Sequence, residues 1–311
     1  MVQRIEGDFY NSEENKKHLQ ALCDGENLAK DTYIELECRN WVSKSNTLTF
    51  DFGKNKGILE ADELSIFDQP KSGRYLVNKF IGVHIKDKQI NDNNTVTYVF
   101  TRKKVQELYY NTEVKKFKPL DIIEGRIGSL NESSAFVDIG YGVIAVIKVS
   151  NASVVHMSDL RSFFTIGERV KMIVKHGVDA ENPFLIVSHK ELLGTWEDNV
   201  SQFDVWNATV GKVVRIEDYG IFVMLTPNLV GLAECVDVPI KINDVVSVSI
   251  RNIASDTSKI KLLINTTVPI RHDNSVIKKN YIIPPAIEDG VWYYNKNSNS
   301  EVRRIVTDFN V

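Results

Sequence analysis

The chain has 311 residues, of which 38 are basic and 41 acidic for a formal charge of −3, and 43% are hydrophobic. That is the make-up of a chain with packed cores, and it excludes a collagen, a disordered polyelectrolyte or a coiled coil. The basic residues are spread, 18 against 18 acidic in 1–116, 8 against 12 in 117–205 and 12 against 11 in 206–311, so no segment is the strongly basic block that coats duplex DNA.

The chain opens on MVQRIEGDFY, which has no apolar leader core, and no apolar run approaches the ~20 residues of a membrane-spanning helix. Cys23, Cys38 and Cys235 make no CxxC pair, which argues against a zinc ribbon, a disulfide framework or a thioredoxin-like centre and for a reducing cytoplasm. Residues 12–23 predict one helix, with Ser12 as N-cap, acids in the first turn and Leu19, Leu22 and Cys23 on one face. From there the period is that of strands. Short runs rich in Val, Ile, Phe and Tyr recur at 47–52, 80–85, 95–100, 135–139, 169–174, 185–187, 211–216, 221–225, 245–250 and 260–264. Many short strands separated by turn residues point to barrels or sandwiches.

An internal repeat organises them. Asp51-Phe52-Gly53 returns as Asp138-Ile139-Gly140, and Thr101-Arg102-Lys103 as Ser188-His189-Lys190, both at a shift of 87 (138 − 51 and 188 − 101). The run 135–139 lines up again with 221–225 at a shift of 86. Units of this length suit five-stranded barrels. Between the second and third, Leu192, Leu193, Trp196, Val200 and Phe203 form a helical apolar stripe over 190–203, weakened by Gly194, with Trp196 as a packing anchor. In the closing segment Pro284-Pro285 and Gly290 break any helix. Val291 to Tyr294 and 302–309 flank an Asn/Ser-rich loop, 295–300, and read as a hairpin. Trp292 and Tyr294 share one of its faces; they pack on the third barrel or, helped by Arg303 and Arg304, offer an extra aromatic surface.

The third unit is the most legible. In 221–225, Ile221, Val223 and Leu225 alternate toward a barrel core, so Phe222 and Met224 point outward, beside Tyr219 and with Gly220 between. Adjacent exposed rings on a barrel form a platform on which unpaired bases stack at about 1–3 kcal/mol each. Lys212, Arg215, Arg251, Lys259 and Lys261 stand on strands that a small barrel brings near and supply cations for phosphates. The six histidines lie scattered, with no i,i+4 pair and no HExxH, and Gly140-Tyr141-Gly142 opens no helix; neither a metal centre nor a phosphate loop is expected.

The pattern G-x-V-x-x-I-x-x-Y-G-x-F-V-x-L followed by G-L across 211–232 resembles the S1 RNA-binding domain, an OB-fold barrel found in S1-type ribosomal proteins and exoribonucleases. The stretch 188–196 is similar to the junction between modules of clostridial S1-like proteins, which also close on a C-terminal hairpin. The resemblance covers about 117–265 well and 30–110 weakly. It implies RNA contacts for Tyr219, Phe222 and Lys259, and it departs where the family has a histidine after G-L-x, since Glu234 stands there. In the second unit Phe136 keeps the outward position and Lys148 falls near the histidine's place, while Ser133 and Ser134 replace the Tyr-Gly pair. In the first, Thr49 and Asn46 leave no platform, which makes it a structural or protein-contacting unit.

The expectation is therefore a mainly β protein of tandem five-stranded OB-fold barrels with short linker helices and a C-terminal β-hairpin. Residues 1–116 hold a helix and a degenerate module, 117–189 a second module, 190–203 a linker helix, 204–266 a third module and 267–311 the hairpin extension. The resemblance implies non-enzymatic binding of single-stranded RNA, mRNA included, in translation at the small ribosomal subunit, with no cofactor. The expected RNA-binding set is Tyr219, Phe222, Lys212, Arg215, Arg251, Lys259 and Lys261, with Phe136 and Lys148 auxiliary. A protein-interaction scaffold whose modules have drifted from RNA, or an RNA-binding accessory subunit of a nuclease, fits the same residues.

Overall fold

The computed structural model describes residues 3–67, 72–179, 183–236, 239–268, 277–284, 287–299 and 304–310, apart from the side chains of 266–268 and 288. Pro285, Ser300, Val302 and Arg303 of the expected closing segment fall outside them. The chain divides into two compact units. One comprises Met1–Phe117, Asp138–Ala145 and Val178–Phe184; the other comprises Lys118–Val137, Val146–Gly177 and Leu185–Val311.

Helix α1 (Glu13–Asp24) starts where Ser12 accepts a bond from the Asn15 amide and stops at Gly25, whose φ of 78° closes the C-terminus. Leu22 is fully buried and Leu19 and Cys23 pack beside it on the first core. That core lies among β1 (Ile34–Glu37), β2 (Asn40–Val42), β3 (Thr47–Phe52), β4 (Asn55–Glu60), β5 (Phe80–Ile90) and β6 (Val96–Thr101), hydrogen-bonded in the order β1-β5-β6-β4-β3-β2. β4 runs parallel to β6. Helix α2 (Lys103–Thr112) follows, unforeseen from the sequence.

The second module has β7 (Ile122–Leu130), β8 (Ser134–Asp138), β9 (Ile144–Lys148), the one-turn α3 (Val149–Ala152), β10 (Arg169–His176) and β11 (Leu185–Ser188). Its five strands close in the order β10-β11-β9-β8-β7. The third has β12 (Ala208–Glu217), β13 (Gly220–Thr226), β14 (Leu229–Ala233), β15 (Val245–Ala254) and β16 (Lys259–Val268), closed as β12-β13-β14-β16-β15. In both, the strands of a module follow the order 1-2-3-5-4 and return to 1, and in the third module the third strand runs parallel to the fifth. That is the topology of the OB-fold.

The first module has the same order once its split first strand is recognised. Cys38 still bonds to Asn78 and Lys79 on the β5 side, while the next amide, Arg39, donates to Thr49 on the β3 side. The chain changes neighbour between those two residues, so β1 and β2 are the halves of one strand. The ladder is consequently open there, a half-barrel in place of the expected barrel.

The repeat has a physical content. In Asp51-Phe52-Gly53 and Asp138-Ile139-Gly140 the aspartate Oδ1 accepts the amide of the glycine two residues on, at 3.0 and 2.8 Å. At the other end of the repeat the modules differ. Arg102 is buried and paired bidentately with Glu6 at 2.7 and 2.8 Å, and Asp138 accepts the Glu6 amide at 2.9 Å. His189, its counterpart, is a buried neutral imidazole whose Nδ1 lies 2.8 Å from the Ala152 carbonyl.

The segment 190–203 is not one helix. A 3₁₀ turn over Lys190–Leu192 ends at Gly194, whose φ is 81°, and Thr195 then starts α4 (Trp196–Val200) with a reciprocal Thr195–Asp198 cap. Trp196 is buried in the apolar cluster that fills the third barrel. That cluster also takes Trp292, Tyr294 and Phe309 from the hairpin of β17 (Val291–Tyr293) and β18 (Val306–Asp308). The packing role holds for those rings. Only Tyr293 remains half-buried, with the Lys296 ammonium 5.9 Å from its ring.

Candidate nucleic-acid interface

β12 and β13 meet in a tight turn at Asp218-Tyr219, and the register carries one row of residues across the outside of the third barrel. Arg215 on β12 faces Phe222 on β13, Phe222 faces Leu232 on β14, Leu232 faces Lys261 on β16, and Lys261 faces Asn252 on β15. Ile221, Val223 and Leu225 fill the interior, as the alternation requires. Tyr219 is 65% exposed, Phe222 half-buried, and their rings stand edge to face with centroids 6.1 Å apart. The Arg215 guanidinium lies 5.3 Å from the Phe222 centroid and pairs with Glu217. Lys259 and Lys261 are exposed on β16, two residues apart and so on the same face.

Gly220 is explained by this geometry. A Cβ there would stand 2.6 Å from the Ala233 carbonyl oxygen and 2.7 Å from a Leu232 methyl. The backbone that comes close is β14, which lets the two rings stand side by side at the strand's start.

Two expected outward residues are not available. Lys212 is 5% exposed and its Nζ donates to the Ser162 carbonyl at 2.7 Å, so its charge is spent on the second module. Met224, opposite Lys212 in the register, is 3% exposed and does not extend the platform. The outer face is covered on that side. Arg251 is exposed on β15 next to Asn252, and its guanidinium lies 4.9 Å from the Trp206 centroid. Trp206, 66% exposed, escaped the sequence reading. An aromatic residue ahead of β12 reads as core until its surroundings are known.

The charge around the rings is divided. Glu217, Asp218 and Glu234 gather at the turn, where Glu234 follows the Ala233 that pairs with Ile221, and Lys261, Lys259 and Arg251 lie toward β15 and β16. In the second barrel Phe136 is half-buried on β8, and the exposed Lys148 ends β9 as the residue before α3. No ring contact or ion pair joins them among the described residues. Among the same residues no three metal-ligating side chains converge and no helix is long and apolar enough to cross a membrane.

Modules with this strand order, one of them carrying an aromatic pair at the start of its second strand, define a protein of tandem OB-fold modules. The chain is similar to small ribosomal subunit protein bS1. That of Staphylococcus epidermidis is 29% identical over 270 residues, 78% of this chain and 64% of that protein. The bS1 of Staphylococcus saprophyticus subsp. saprophyticus is 30% identical over 193 residues, 57% of this chain and 48% of that protein. The chain thus spans less than two thirds of the length of these relatives. No family model matches it. A solved multidomain protein with nucleic acid binding domains from Streptococcus pneumoniae covers 76% of this chain and 73% of its own at 10% identity, with a TM-score of 0.26 too low to carry an argument.

Proposed function

We propose that the chain binds single-stranded RNA without catalysis, chiefly through the third barrel, and serves in the cytoplasm as an S1-like factor that presents mRNA to the small ribosomal subunit. The row Arg215–Phe222–Leu232–Lys261 with Tyr219 at its end carries the reading, since it sets two rings and two cations on one outward face. Bases stack on the rings and phosphates meet Lys261 and Lys259, a division of labour that tolerates any sequence. Unpaired bases are required because a paired base offers no free π-face to a barrel. The similarity to bS1 supports the ribosomal setting. One observation favours a protein-contacting role instead, the acids Glu217, Asp218 and Glu234 around Tyr219, which repel phosphate.

Fluorescence anisotropy with a labelled oligouridylate separates the two. RNA binding predicts affinity that falls linearly with the logarithm of salt concentration, and Tyr219→Ala with Phe222→Ala together cost about 2–5 kcal/mol of binding. Salt-independent or absent binding, or a double variant that binds as well as the parent, refutes the reading.

A further inference from the structure

Trp206 sits in a backbone conformation that a bulky residue adopts only under constraint. Its φ is 73°, in the left-handed region that favours glycine. The constraint is visible on both sides. The Trp206 amide donates to the Ile250 carbonyl at 2.7 Å, the Asn207 amide to Asp204 at 3.2 Å, and the Ile250 amide returns to Asn207 at 3.1 Å. A ring held in a strained position and left 66% exposed contributes little to the core. It has instead a cation fixed against it. The Arg251 guanidinium is 4.9 Å from the ring centroid, and no carboxylate among the described residues pairs with it.

We infer that Trp206 and Arg251 form a second base-stacking site on the third barrel, which takes an unpaired base of the same single strand whose other bases meet Tyr219 and Phe222. The inference rests on the RNA-binding reading above and adds to it a place and a path. A base stacks on the indole face opposite the guanidinium, and the guanidinium, oriented by the ring, meets the neighbouring phosphate. The path follows the register. From Phe222 it crosses Leu232, Lys261 and Asn252, one strand at a time, to Arg251 and then to Trp206, whose backbone is bonded to Ile250. Four interstrand steps of about 4.8 Å make an arc of roughly 19 Å, a length suited to the ~4–16 nucleotides that one OB-fold holds. Lys261 lies midway, exposed, as a cation for the intervening phosphates.

Length dependence tests this with the full chain. The parent should bind an oligouridylate of about twelve nucleotides roughly tenfold more tightly than a dinucleotide of uridine, because only the longer strand reaches both sites. Trp206→Gly should erase that gain and leave the shorter strand's affinity unchanged. It should also raise the melting temperature slightly, because glycine relieves the strained φ. Trp206→Phe should keep most of the gain, and Arg251→Gln should lower the slope of log K against log salt by about 0.7 for the longer strand, one phosphate contact. If Trp206→Gly binds the longer strand like the parent while Tyr219→Ala with Phe222→Ala loses both strands, the second site is refuted and the RNA-binding reading stands. If the parent binds neither strand, both fall. Loss of the gain with a lowered melting temperature in Trp206→Gly would assign Trp206 to folding and refute the site as well.

Discussion

Asn228 makes the sharpest demand on the second unit. It is fully buried at the turn between β13 and β14. Its Nδ2 donates to the Lys190 and Gly194 carbonyls at 2.7 and 2.9 Å, its Oδ1 accepts the Val154 amide at 3.2 Å, and its own carbonyl accepts the Tyr294 hydroxyl. One amide therefore joins the third barrel to the linker and to the second module, while its backbone takes the hairpin. Asn228→Ala leaves the part-buried Val154 amide and the buried Gly194 carbonyl without that partner and opens a small cavity. At about 1–3 kcal/mol for each such group the loss is about 3–5 kcal/mol. Urea unfolding followed by tryptophan fluorescence reads it directly, because Trp196 and Trp292 lie in the core this residue closes. A melting temperature lowered by roughly 10 °C should accompany it. Asn228→Asp should fare no better, since it keeps the acceptor for Val154 but turns an oxygen toward two carbonyl oxygens. A loss below about 1 kcal/mol in Asn228→Ala would refute the account, for it would mean that water or a shift of the chain satisfies these groups at no cost.

Gly220→Ala should cost about 2 kcal/mol in denaturant unfolding, because the added Cβ meets the Ala233 carbonyl oxygen at 2.6 Å and β14 has to move; an unchanged midpoint would show that the strands separate freely. The two units should respond to pH with opposite sign. Burial pushes the Glu35 carboxyl up to about 7 from 4.5, against the bonds donated by Tyr33, Gly7 and Phe9, so its contribution to stability is full near pH 4.5 and is lost as pH rises to about 7. Burial pulls the His189 imidazole down to about 3 from 6.5, so its contribution is full above pH 6.5 and is lost as pH falls. Amide exchange corrected for intrinsic rates should show β1 losing protection and β11 gaining it between about pH 5 and 7, with Glu35→Gln flattening the first trend; parallel trends in the two strands would contradict the assignment.

What was legible in the sequence was what depends on neighbours in the chain. Thr47–Phe52 alternates and is β3; Ser12 caps α1; the Asp-x-Gly repeat marks the same turn in two modules. The S1-like pattern at 211–232 set Tyr219 and Phe222 together because a tight turn and a strand period fix both. What depends on distant partners was not legible. Lys212 and Met224 have the period of surface residues and are buried, Lys212 bonding to a carbonyl 212 − 162 = 50 positions before it. No local pattern joins Glu6, Arg102 and Asp138, yet Arg102 is buried against a carboxylate 96 positions before it and Asp138 bonds to an amide 132 positions before it. The split of the first strand at Cys38 and Arg39 left no mark either, because both halves keep an ordinary strand composition and only the partner changes.

The rings that complete the third barrel have a bearing on how this protein is made. Every strand of that barrel has been translated once Val268 is added, but Phe309, which belongs to its core, comes 309 − 268 = 41 residues later. At elongation rates of about 5–20 residues per second, the nascent barrel stays unplugged for roughly 2–8 s. During that interval one end of it shows bare hydrocarbon, a ready landing place for a chaperone and the step at which a stalled or prematurely released chain is most prone to clump.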